Sequence, residues 1–318
     1  MSSSNKKTQR QRKKTSFISP RRILIIAQST VTQLVRMKVF YFLAPIAAVF
    51  VGIQFFDAPW YAGPEASQPQ QELQMHKNLC LGTMMLFSSL FAIVSTALLI
   101  PRDIEDRTLY TILCKPVPRL DYLVGKLLGV MAVVFIALAV MDMILVVTLH
   151  FRTGAVLADL EPYLQKLGWP QELVDEKLDE ISAHGPTMTL QYGVLAYFFK
   201  ASVIAAVALL ISTFSTSTLF TIASSVMIWI IGAAQNIARQ GLFEQGGLAE
   251  DSGPIAKILA TLVSLLFPDF QIFDSVAEAA TRAADISSEQ ILQLGGFTFF
   301  YLAIYTVLSW FVFSDKEF

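Results

Sequence analysis

The sequence predicts an all-α integral membrane fold with six transmembrane helices, and three observations carry that expectation. Hydrophobic residues fill 54% of the 318 positions and charged residues only 15%, whereas soluble domains are nearer a quarter charged. The apolar residues fall in blocks rather than being spread as a soluble core requires. Lys and Arg are divided unevenly between the loops that join those blocks.

A span needs about 20 mostly apolar residues to cross a hydrocarbon core roughly 30 Å thick. Six segments meet or approach that length: 37–56, 79–100, 122–149, 190–214, 218–234 and 291–313. The fifth is the shortest, and Ser224 and Ser225 interrupt it. A seventh run, 255–267, is too short to cross and fits a re-entrant or interfacial helix. The first span follows a long basic leader and no A-x-A-like cleavage site comes after it. It therefore reads as a retained helix rather than a signal peptide.

Orientation follows from the loop charges. With the N-terminus inside, the inner segments and the foot of the third span hold 16 Lys and Arg against 7 in the longer outer segments. Both termini are then expected in the cytoplasm. Residues 1–20 are rich in Ser, Lys, Arg and Gln, a composition that predicts a disordered tail able to touch anionic headgroups. Residues 21–318 form the transmembrane domain.

Arg21–Arg36 has helical periodicity. Ile23, Leu24, Ile26, Ala27, Val31, Leu34 and Val35 share one side, and Gln28, Ser29, Thr32, Gln33 and Arg36 the other. Such a helix, with arginines at both ends, is expected in the inner interface. A helix packed on a soluble partner is the competing reading.

The inner segment 101–119 holds the densest pattern. Pro101 is expected to leave the membrane helix, and Asp103, Glu105 and Asp106 favour the first turn of a new one through its dipole. Leu109, Ile112 and Leu113 give that helix an apolar edge, and Pro116 and Pro118 end it. A helix of roughly ten residues, about 15 Å long, is thus predicted outside the bilayer. Exposed charge beside a small apolar edge suits a docking surface better than a solvated loop.

Outside, 150–189 is acidic. Pro170 can start a helix in which Val174, Leu178 and Ile181 share a face, so one or two small helices are expected there, covering the outer mouth or packing inertly. Segment 235–290 reads as a Gly-rich loop, then the short apolar run, then an interfacial turn at 268–274.

Several chemistries are missing from the sequence. A P-loop needs G-x-x-x-x-G-K-[ST], but Leu120 and Leu127 stand where glycine and hydroxyl are required. The histidines, His76, His150 and His184, are isolated, and no H-E-x-x-H or G-x-S-x-G occurs. Cys80 and Cys114 fall on opposite sides of the membrane and so cannot pair within one chain. Gly125 and Gly129 match the G-x-x-x-G spacing of close helix packing. Two charges lie inside apolar blocks, Asp142 in span three and Lys200 in span four. Such charges are costly unless paired, and the two helices are antiparallel neighbours in sequence, so an Asp142–Lys200 pair is expected.

Leu98 to Gly129 resembles the signature region of type-2 ABC transporter permeases. The residues that carry the likeness are Pro101, Glu105, Arg107-Thr108-Leu109, Lys115-Pro116, Arg119 and Gly125-Lys126-Leu127-Leu128-Gly129. The layout is also similar, from the interfacial N-terminal helix to the outer re-entrant segment, and Lys316-Glu317-Phe318 is a weaker echo. The departure is the acidic segment after span three, longer than in many relatives. The resemblance implies the membrane-spanning subunit of an ATP-driven transporter, with export the expected direction. Asp103, Glu105, Asp106, Arg107, Thr108, Leu109, Ile112, Lys115 and Arg119 would couple it to separate ABC ATPase subunits. A second permease copy or a related permease would complete the pore. ATP and Mg would sit on the partner ATPase, leaving this chain without cofactor, catalytic residue, metal or nucleic-acid role, in a cell membrane among lipid. The competing class is an ATP-independent membrane protein, a secondary transporter or assembly scaffold. Spans this apolar offer few of the buried polar ligands an ion-coupled carrier needs near the midplane.

Overall fold

The computed structural model describes residues 19–37, 45–46, 49, 52–53, 69–105, 118–215, 217–243, 267–282 and 284–314. Within them the main elements are all helical: α1 (Pro20–Val35), α2 (Pro69–Glu105), α3 (Arg119–Lys166), α4 (Gln171–Ser182), α5 (Met188–Phe214), α6 (Thr218–Phe243), α7 (Gln271–Thr281) and α8 (Ser288–Ser314). Five of these, α2, α3, α5, α6 and α8, are long and apolar enough to cross a membrane. They coincide with the second to sixth expected spans. The first, 37–56, and the short run 255–267 lie outside the described residues apart from isolated positions.

The most buried helix is α5, with Ala196, Ala201, Ala205, Ala206 and Ala208 wholly enclosed. Small side chains let its neighbours approach closely, which drives helix association where lipid is as apolar as the core. It contacts α2, α3, α6, α7 and α8. By contrast α3 turns Phe135, Ile136, Val140, Met143 and Val147 outward, an apolar exterior suited to lipid.

Expected boundaries shift in two places. The helix of span two runs through Pro101 to Glu105, so Asp103 belongs to α2 and does not open a separate helix. Proline removes one backbone hydrogen bond, and side-chain contacts of Asp103 with α1 and α3 hold the last turn in place. Span three was expected to stop at Leu149, yet α3 continues to Lys166 over 48 residues, about 72 Å. Residues 155–166 include two Ala and three Leu, which favour helix whether or not lipid surrounds them, and the helix continues through Pro162 at the loss of one backbone hydrogen bond. Gly168 ends α3 at φ 73°. The Trp169 and Gly168 N–H groups donate to the Leu164 and Gln165 carbonyls, a Schellman closure. Pro170 then starts α4, which buries Val174 and Ile181, the face the sequence predicts.

A third difference concerns 268–274, expected at the interface. Asp274 meets Lys200, while Ala277 and Ala280 meet Gly193, so α7 runs antiparallel to α5. Lys200 is 12 positions into α5, about 18 Å along it. The turn before α7 therefore packs against α5 and α6, with Phe270 enclosed and Ile272 exposed. Phe270 packs on α6 there, against Gly232, where a Cβ would lie 2.4 Å from the ring.

α2 and α3 are antiparallel, and ion pairs join them near both ends: Asp103–Lys126 at 2.7 Å and Glu72–Arg152 at 3.6 Å. Lys126 and Arg152 are 26 positions apart, about 39 Å along α3. A bilayer with its headgroups is about 40–45 Å thick.

Candidate functional site: a buried polar junction flanking segment 106–117

One end of the bundle gathers α1, the last turn of α2, the first turns of α3 and the last turn of α8. Gly125 and Gly129 let α1 lie directly on α3. A Cβ at Gly125 would stand 2.7 Å from Ile26 Cβ, and one at Gly129 2.5 Å from Thr30 Cβ. The G-x-x-x-G spacing thus serves close packing, as the sequence predicts. Thr30, fully buried at the crossing, donates its hydroxyl to its own Ile26 carbonyl at 2.8 Å, which satisfies a polar group without a partner helix. The apolar residues Leu24 and Ile25 of α1 point outward, 66% and 67% exposed. Gln33, placed by periodicity on the outer polar side, points into the junction instead.

There a closed ring of polar contacts forms. Asp103 accepts from Gln33 Nε2 at 3.2 Å, from the Tyr122 hydroxyl at 2.5 Å and from Lys126 Nζ at 2.7 Å. Lys126 also donates to Gln33 Oε1 at 2.9 Å. The Asp103 and Lys126 side chains are each only 5% exposed. A buried charge is tolerated when paired and hydrogen-bonded, and this pair meets both conditions. Beside it Arg22 of α1 bridges Asp121 of α3 at 3.0 Å.

Arg119 opens α3 and donates to the Phe313 and Ser314 carbonyls at 2.5 and 2.9 Å. A cation there complements the C-terminal dipole of α8 and satisfies carbonyls that no further helical turn reaches. Its guanidinium also lies 5.7 Å from the centre of the Phe313 ring, which stacks with Tyr122 at 6.0 Å. Asp103 and Arg119 are therefore buried or bonded anchors, where an exposed docking role was expected of them. Glu105 ends α2. Asp106, Arg107, Thr108, Leu109, Ile112 and Lys115 lie outside the described residues.

The expected Asp142–Lys200 pair does not form. Lys200 donates to both Asp274 oxygens, at 2.7 and 2.8 Å, and Asp142 accepts from Gln191 at 3.1 Å. Gln191 precedes Lys200 by nine positions, about 13 Å along α5, so the two charges sit at different depths. Antiparallel neighbours in sequence need not bring these two charges level, and α7 supplies the nearer carboxylate.

Gln33, Tyr122 and Asp121 carried no sequence signal as site residues. Tyr122 and Lys126 are four apart on one helix face, and that spacing beside Gly125 is the signal that could have revealed the ring. No family model matches this chain, and no curated protein sequence matches it either. Fold and composition define its class: a multi-pass helical membrane protein.

Proposed function

We propose that the chain is the membrane-spanning subunit of an ATP-driven transporter of the type-2 ABC permease kind, working as an exporter in a cell membrane with both termini in the cytoplasm. Separate ATPase subunits carry ATP and Mg, and a second permease, identical or related, completes the assembly. One observation supports this reading above the rest. Segment 106–117 begins three positions after Asp103 and ends two positions before Arg119, and both anchors belong to the same buried junction. A push on that segment is received by α2 and α3 together, and through Gln33 and the α8 carbonyls by α1 and α8. The segment's charge and apolar edge suit docking to a soluble subunit, and helices with their feet so tied would respond as a group.

The test is co-purification in a mild detergent. An ABC ATPase is expected to accompany the wild-type chain, and Arg107→Glu is expected to lower its recovery several-fold while membrane insertion stays normal. Purification of the intact chain without any ATPase, or undiminished recovery with Arg107→Glu and with Glu105→Lys, would overturn the proposal.

A further inference from the structure

The opposite end of the bundle is built differently. Lys77, on the third turn of α2, is 0% exposed, and its ammonium has no hydrogen-bond partner among the described residues. Two further buried polar atoms from two other elements also lack partners, Thr153 Oγ1 on α3 and His184 Nδ1 in the turn between α4 and α5. The three belong to one neighbourhood. The Lys77 charge is close enough to push the His184 imidazole below its ordinary value, adding to the larger effect of burial. Gly185 lies over Thr153, where a Cβ would stand 3.6 Å from the hydroxyl oxygen. The nearby carboxylates are engaged: Glu72 pairs with Arg152 at 3.6 Å and Glu180 with Lys177 at 2.6 Å.

An ammonium enclosed without an acceptor costs several kcal/mol. A hydroxyl and an imidazole N–H facing the same region add donors, and no acceptor among the described residues answers them. We infer that Lys77, Thr153 and His184 form a binding site for a small oxyanion, a phosphate or carboxylate group. The lysine supplies the charge, and the hydroxyl and imidazole supply directed hydrogen bonds. The turn 183–187, with Ala183 and Pro186 exposed, forms the cover through which the anion enters. A bilayer phosphodiester and a free phosphate share the chemistry the site reads. Anion binding here does not depend on the chain being a transporter subunit.

The experiment uses the full chain and reads its unfolding temperature. One arm holds it in an uncharged detergent and exchanges sodium chloride for sodium phosphate at constant ionic strength. The other places it, free of phosphate, in nanodiscs of phosphatidylcholine with or without phosphatidylglycerol. Binding to the native state alone is expected to raise the transition by about 3 °C at tenfold excess over Kd. Lys77→Met is expected to abolish the rise. A response in the first arm identifies a free anion, and a response confined to phosphatidylglycerol identifies a lipid headgroup. No rise in either arm, or an equal rise in Lys77→Met, overturns the site. Should Lys77→Met fail to fold, Thr153→Val decides: it keeps the charge and is expected to weaken the midpoint several-fold, and an unchanged midpoint rejects the site.

Discussion

Two lysines on neighbouring helices, Lys126 and Lys77, are both enclosed, yet their surroundings are opposite. Lys126 touches a carboxylate and an amide oxygen within 3 Å, whereas Lys77 touches no acceptor among the described residues. Burial alone therefore does not separate a structural lysine from a binding one. What separates them is whether the chain supplies the counter-charge. At the α1 end it does, and the result is a joint. At the α4 end none of the described residues does, which is why we propose a receptor there.

Identical substitutions at the two positions give the sharpest contrast. Lys126→Met strands the Asp103 carboxylate and is expected to cost about 3–5 kcal/mol, read as a lower unfolding temperature in detergent. Adding Asp103→Asn removes the stranded charge, and the amide can still accept from Gln33 Nε2 while its NH2 donates to the Tyr122 hydroxyl, so the double variant should be more stable than Lys126→Met. In anion-free buffer Lys77→Met is expected to be neutral or stabilising, because it removes a charge that nothing offsets. A loss at Lys77 as large as that at Lys126 would erase the distinction between the ends.

The pair between them, Lys200 and Asp274, should behave asymmetrically. The Lys200 side chain is 1% exposed and that of Asp274 35%. Asp274→Asn strands an enclosed ammonium and is expected to cost about 3 kcal/mol. Lys200→Met leaves a carboxylate that keeps some access to water and should cost about 1 kcal/mol. Thermal unfolding of both variants reads the order, and equal losses would show that Asp274 is as enclosed as its partner.

The smallest effect is expected in acid. His184 is held below 6.5 by burial first and by Lys77 second, with Glu180 opposing. A lowered folded value means that protonation favours the unfolded chain. Stability is therefore full above about pH 6.5 and declines as the pH falls through the lowered value. His184→Gln should flatten that limb in a pH series of unfolding temperatures. An anion bound beside the ring should flatten it too, since a negative neighbour raises the imidazole again.

Five long helices were legible because about 20 apolar residues in a row have few alternative meanings. The α1 periodicity and the glycine spacing were legible for the same reason, each being local. What escaped is set by contact between distant segments. Nothing local shows that α7 dips beside α5, so Asp274 was invisible as the partner of Lys200. Hydropathy marks where a span leaves lipid, not where its helix stops, so the extension of α3 to Lys166 was missed. Asp103 looked like an exposed acid at a helix start, because only the fold brings Lys126, Tyr122 and Gln33 around it.

The unbroken run of α3 has a mechanical consequence. A helix of 48 residues is a rod of about 72 Å, held at its foot by Arg119, Asp121, Tyr122 and Lys126. A rotation of about 5° at the foot swings the Lys166 tip sideways by about 6 Å, close to the rise of one helical turn. Adjustments of an ångström or less among the junction side chains are thus magnified at the far end, where the tip of α3 carries α4.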